Sequence, residues 1–138
     1  MVIEQRMSVE ETRAVLMPYL ESHHSDVSAM ADDVVFRNMA TGDEASGPEG
    51  VRAMLDFFYH VAFDADAETR NIVIGEGIGV VEGVFVGTHI GEFAGVPATG
   101  KEVRVPLAVI YDVRAGKIVE GRVYFESPAF FAQVGAAG

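Results

Sequence analysis

His89 stands in the tract Gly87-Thr88-His89-Ile90-Gly91-Glu92-Phe93-Ala94-Gly95-Val96-Pro97-Ala98-Thr99-Gly100-Lys101, and it is the only histidine on a segment patterned as a strand. An imidazole with an unperturbed pKa of ~6.5 suits proton transfer near neutrality. Asn38, at the end of another strand-like segment, brings an amide that can donate to a carbonyl oxygen as charge develops on it. His89 is thus a candidate acid/base and Asn38 a candidate to orient a substrate carbonyl or water, and these two are the catalytic candidates. No carboxylate is patterned beside His89 to orient it. Tyr59 and His60 end a helix, close to where a pocket mouth is expected. His23-His24 read as a helix terminus, where imidazole suits the dipole. No third ligand lies at workable spacing, so no metal site is expected. Asp32-Asp33, Asp43-Glu44 and Asp64–Asp66 read as loop and cap charges.

The elements that must hold these groups follow from periodicity. Gly79–Phe93, Val103–Val113 and Lys117–Phe125 alternate as strands, the last two joined by a tight turn at Arg114-Ala115-Gly116-Lys117. On the first of them Gly83, Phe85, Gly87, His89 and Gly91 share a face. Glycine within a strand marks a bend or the close approach of a ligand. That face is taken as the pocket wall, with Phe85 deep and His89 near the mouth; curvature alone accounts equally for the glycines. Thr69–Ile74 is a further strand, and Asp64–Ala67 a loop before it. Asp33–Met39 is a strand with Phe36 and Asn38 on one face.

Ser8-Val9-Glu10-Glu11 is a capping box that opens a helix with Val9, Leu16 and Leu20 on one stripe. Pro18 predicts a kink or an early end. A short helix is expected near Asp26–Ala31 and a loop over Thr41–Gly47. Gly47-Pro48-Glu49 opens the second main helix, carrying Val51, Leu55, Phe58 and Ala62. Helices first and strands last indicate an α+β fold with the helices on one sheet face. On the final strand Glu120, Arg122, Tyr124 and Glu126 should face outward, opposite Val119, Gly121, Val123 and Phe125. That outward row predicts a homodimer through the convex face around Arg122 and Tyr124.

The 138 residues, 49 % hydrophobic, suit a single domain over 1–138. The absence of cysteine excludes disulfides and thiolate metal sites. A formal charge of −11 argues against nucleic acid or an anionic membrane as partner. Met1–Arg6 carries no apolar h-region and no apolar run approaches ~18 residues, so a cytoplasmic protein is expected.

The Gly87–Lys101 tract, the tail Gly116-Lys117-Ile118-Val119-Glu120 followed by Arg122-Val123-Tyr124-Phe125-Glu126, and Phe63-Asp64 together resemble the SnoaL-like polyketide (ester) cyclases. The likeness runs from about Ser8 to Gly135. It implies the NTF2-like cone, a curved antiparallel sheet forming a cone-shaped barrel around the N-terminal helices, with a pocket between them and a dimer through the outer face. The substrate contacts expected there are Phe36, Tyr59, Phe85, Gly87, Val123 and Phe125. The family's last-strand aspartate falls on Val123. The related limonene epoxide hydrolase set is also largely lost: its Tyr-x-Asn falls on Phe36-Arg37-Asn38, and its Arg-x-Asp on Phe85-Val86-Gly87. An epoxide hydrolase is thereby disfavoured. The expected activity is an aldol cyclisation or isomerisation of an apolar polyketide-like substrate, without cofactor because such a substrate acidifies its own carbon. The alternative is a non-catalytic binder of an apolar small molecule.

Overall fold

The computed structural model describes residues 7–23 and 25–136. His24 and the Met1–Arg6 segment read above lie outside the described residues. Helix α1 (Val9–Glu21) opens on the expected capping box: the Ser8 hydroxyl accepts from the Glu11 N–H at 3.0 Å and the Glu11 carboxylate accepts from the Ser8 N–H at 3.0 Å. Pro18 does not end it. The helix continues to Glu21 and closes on the Ser22 N–H, which donates to the Pro18 carbonyl. No short helix follows. Asp26 instead accepts from the Ser28 N–H at 2.9 Å, a local turn that competes with helix, and strand β1 (Met30–Asn38) begins directly.

The expected loop over Thr41–Gly47 contains a three-residue strand, β2 (Glu44–Ser46). Helix α2 (Gly47–Asp56) runs into a π-helical turn, Phe57–Val61. Strand β3 (Phe63–Ile74) absorbs Asp64–Ala67, correcting the loop expected there. Phe63, Ala65 and Ala67 alternate with the two aspartates, a strand pattern hidden by the acidic residues. Strands β4 (Ile78–His89), β5 (Glu102–Arg114) and β6 (Lys117–Phe125) match the meander, and the β5–β6 turn carries positive φ at both Ala115 and Gly116. A helix not foreseen, α3 (Ser127–Val134), closes the described chain.

The six strands form one sheet in the order β2-β1-β6-β5-β4-β3. All pairings are antiparallel except β1 with β6, which makes the sheet mixed. Alternation within a strand reports its buried face but not its partner's direction, so this pairing was not readable. Among the described residues the sheet ends on the edge strands β2 and β3 and is not a closed barrel.

Its curvature comes from β4. A Cβ at Gly83 would meet the Glu68 carbonyl, one at Gly87 the Asp64 carbonyl and Ala65, and one at Gly91 the Val61 carbonyl, all inside contact distance. The β3 backbone therefore crowds Gly83 and Gly87, and the end of the π-helical turn crowds Gly91. Among the described residues no helix is long and apolar enough to cross a membrane. On the outer face Tyr124 is 41 % exposed, while Arg122 is held by Asp112 at 2.6 Å and Glu120 at 3.3 Å.

Candidate functional site

Two apolar clusters divide the interior. The first joins α1, β1, α2, β5 and β6 through residues such as Leu16, Tyr19, Phe36, Val51, Val109 and Tyr111. The second gathers Phe63, Phe85, Phe125 and Phe130, with Phe93 against them. Between them lies a cavity of about 140 Å³. Its walls are Phe36 of β1, Met54 and Leu55 of α2, Phe58 and Tyr59 of the π-helical turn, Val81 and Phe85 of β4, Leu107, Val109 and Tyr111 of β5, and Val123 and Phe125 of β6. β3 adds Asp66, Ala67, Thr69 and Ile72, and His23 closes the rim beyond α1.

Five of the expected substrate contacts, Phe36, Tyr59, Phe85, Val123 and Phe125, line this cavity. Gly87 does not, because the β3 backbone fills the space over it. Position 123, where the family's aspartate would fall, presents a valine to the cavity.

The two catalytic candidates are elsewhere. His89 is fully buried in the second cluster, 5.1 Å from the Phe130 ring and 5.3 Å from Phe63, rather than at a pocket mouth. The Thr99 N–H donates to its Nδ1 at 3.3 Å and the Thr99 hydroxyl lies 2.9 Å from the same nitrogen. Its own backbone closes the loop, with the His89 N–H on the Lys101 carbonyl and the Gly100 N–H on the His89 carbonyl, both at 2.9 Å. An acceptor Nδ1 places the ring proton on Nε2, which is buried and has no hydrogen-bond partner among the described residues. This is a histidine that folds the Gly91–Thr99 loop back on the sheet. Asn38 likewise serves its own chain: its Oδ1 accepts from the Ala40 N–H at 2.9 Å, and it does not line the cavity.

The polar groups that do reach the cavity are different. Tyr111 is 2 % exposed, and burial raises its phenol well above the usual range; a hydrogen bond from Tyr19 offsets this in part. Tyr59 is pushed up chiefly by burial and further by the negative charge of Asp66. Both phenols keep their protons at any physiological pH and act as donors. The Tyr59 ring packs 5.3 Å from Phe85, and Tyr111 stands edge-on to Phe36 at 6.0 Å. At the rim, His23 Nδ1 lies 3.8 Å from Asp66 Oδ1, with side-chain exposures of 81 % and 69 %. The arrangement is a largely hydrocarbon chamber with two phenolic donors in its wall and a carboxylate beside an imidazole at its opening. Asp66 was missed because its strand was read as a loop, and Tyr111 because it looks like one more core aromatic in an apolar strand.

The family model for SnoaL-like polyketide cyclase matches residues 22–134. No curated protein matches the sequence. Among solved structures, a proposed SnoaL-like polyketide cyclase from Jannaschia sp. CCS1 superposes with a TM-score of 0.81 at 18 % identity, covering 99 % of this chain and 100 % of the other. IdmH, a proposed polyketide cyclase from Streptomyces antibioticus, gives 0.64 at 27 % identity over 91 % and 93 % of the two chains. A protein of ketosteroid isomerase-like fold from Catenulispora acidiphila gives 0.70 at 16 % identity over 91 % and 95 %. The α+β architecture is the NTF2-like one.

Proposed function

The chain belongs to the SnoaL-like polyketide cyclase family, and from that premise we propose that it is a cofactor-independent enzyme moving a proton at the acidified carbon of an apolar polyketide-like substrate. The product is that of an aldol cyclisation or an isomerisation. The observation that carries this reading is the meeting, around one apolar cavity, of the Asp66–His23 pair with the protonated phenols of Tyr59 and Tyr111.

A carbon between two carbonyls is acidic enough for a carboxylate at the cavity opening to deprotonate once the enolate oxygen is stabilised. Asp66 takes the proton, and the electron pair moves onto the carbonyl oxygen, where Tyr111 or Tyr59 donates to it. In a cyclisation the enolate carbon then attacks a second carbonyl of the same molecule. The new C–C bond forms, and the resulting alkoxide takes its proton back from the protonated Asp66, which regenerates the carboxylate beside His23. The roles expected of His89 and Asn38 pass to these four side chains.

The test is solvent exchange. An aryl 1,3-ketoester is incubated with the protein in D₂O and loss of its acidic C–H signal is followed by NMR. The wild type should accelerate exchange, and Asp66→Asn should lower the rate by roughly 10²-fold or more. A second reading, a binder without chemistry, is favoured by Val123 at the cavity wall. Saturable binding of the ketoester with no accelerated exchange would establish that reading instead.

A further inference from the structure

Beside the cavity mouth lies a second cleft of about 210 Å³, lined by His23, Ser25, Arg52, Asp56, Tyr59 and His60. It shares His23, Leu55 and Tyr59 with the cavity, so one ligand can run continuously from one into the other. The two compartments differ in chemistry. The cavity is walled by hydrocarbon and aromatic rings, whereas the cleft is lined by a guanidinium, two imidazoles and two hydroxyls, with Asp56 the one carboxylate in its lining and Asp66 standing against His23. That donor excess stands out on a chain with 21 acidic and 10 basic residues.

Arg52 is also placed differently from the other paired arginines. Arg104 and Arg122 reach carboxylates at 3.0 and 2.6 Å, Arg37 reaches Glu120 at 3.1 Å and Arg70 reaches Glu68 at 3.4 Å. The nearest carboxylate oxygen to Arg52 in an ion pair is Glu49 Oε1 at 3.8 Å, beyond hydrogen-bond reach, and that Glu49 side chain is 85 % exposed. Such a pair is worth little and is readily displaced. Asp26, whose carboxyl is lowered mainly by Ser28 and slightly by Arg52, and Asp56 are the other acids near the guanidinium. With the three carboxylates of Glu49, Asp26 and Asp56 already close, the cleft suits a monoanion and disfavours a dianion such as phosphate. A planar carboxylate matches the guanidinium fork.

We propose that this cleft is a carboxylate-binding subsite, and that the ligand of the cavity is an amphipathic acid with its apolar body inside and its carboxylate on Arg52. This rests on the cavity being the ligand site, as in the proposed function.

The test compares 2-naphthoic acid with its methyl ester by calorimetric titration at pH 7.5, in the wild type and in Arg52→Gln, whose exposed position on α2 leaves the fold intact. The acid should bind the wild type about tenfold more tightly than the ester. In Arg52→Gln that preference should vanish while ester affinity stays within about twofold. Equal affinity for acid and ester in the wild type, or a preference that survives Arg52→Gln, would overturn the subsite while leaving the cavity reading in place. Failure of both ligands to bind would remove the cavity reading and the subsite together.

Discussion

The two ends of the interior are built from the same residue types to opposite effect. In the closed half, Phe63 packs within 5.0–5.6 Å of Phe85, Phe93 and Phe130, His89 joins the same rings, and α3 seals the cluster by bringing in Phe130 and Val134. The Gln133 amide pins that helix to β5, accepting from the Arg104 N–H and donating to the Arg104 carbonyl, both at 2.7 Å. In the open half the aromatic side chains stand around a space rather than filling it, and two of them carry hydroxyls. The tract that looks most like a motif therefore builds the closed end, and the chemistry gathers where the sequence is plainest. A histidine amid glycines reads as a site, but buried among phenylalanines and bonded to its own loop it is a structural part.

That contrast is broken most directly at His89. His89→Ala opens a void in the phenylalanine cluster and strands the Thr99 N–H, for a loss of about 2–4 kcal/mol. The melting temperature should fall by several degrees, while D₂O exchange on the ketoester survives in the folded fraction. The outcome that would return His89 to the active site is the opposite pair: unchanged melting with abolished exchange.

The next contrast is between two glycines. Gly87 faces the β3 backbone, which cannot retreat, so Gly87→Val should destabilise by about 1–3 kcal/mol through overpacking and leave ligand affinity per folded molecule unchanged. Gly121 faces the Phe36 ring, whose atoms lie 2.8–2.9 Å from where a Cβ would stand. The ring can tilt, and the cavity is the open space beside it. Gly121→Ala should cost about 1 kcal/mol or less and weaken binding of naphthalene-sized ligands more than that of benzene-sized ones. Thermal melts beside titrations with the two ligand sizes separate the cases. Equal size dependence in both variants would mean that Phe36 does not bound the cavity.

The legible parts of the molecule were those in which a local pattern decides the structure. The capping box at Ser8, the alternation of β4 to β6 and the turn at Ala115-Gly116 each follow from short-range chemistry, and all appear as expected. Phe85, Val123 and Phe125 could be placed on an inner face by alternation, whereas Phe36 was expected in the pocket through the resemblance. The illegible parts were decided by distant neighbours. Whether Gly87 faces a hollow depends on β3, which curls over it, and β3 itself was obscured by Asp64 and Asp66. The direction of β1 beside β6 depends on strands far apart in sequence. Asp66 and His23 meet only because β3 passes beyond the end of α1, and no spacing along the chain encodes that pair.

The smallest effect at neutral pH belongs to the open half and is read at alkaline pH. Tyr111→Phe removes the acceptor of the Tyr19 hydrogen bond and should cost about 1 kcal/mol at pH 7. The larger difference comes from linkage. Burial holds the Tyr19 and Tyr111 phenols above the value near 10.0 that they take when exposed. Above about pH 10 the unfolded chain has released these protons and the folded chain has not. The unfolded state then binds fewer protons, and stability falls as pH rises, by about 1.4 kcal/mol per pH unit for each such tyrosine. Below that range both states hold the proton and neither residue contributes a slope. Urea unfolding between pH 9 and 11 should therefore show a stability loss that is shallower in Tyr111→Phe and unaltered in His89→Ala, which changes only the closed half. Identical slopes for the wild type and Tyr111→Phe would mean that the phenol ionises as it does in water. The cavity wall would then be wet, and Tyr111 would lose its role as a protonated donor to an enolate.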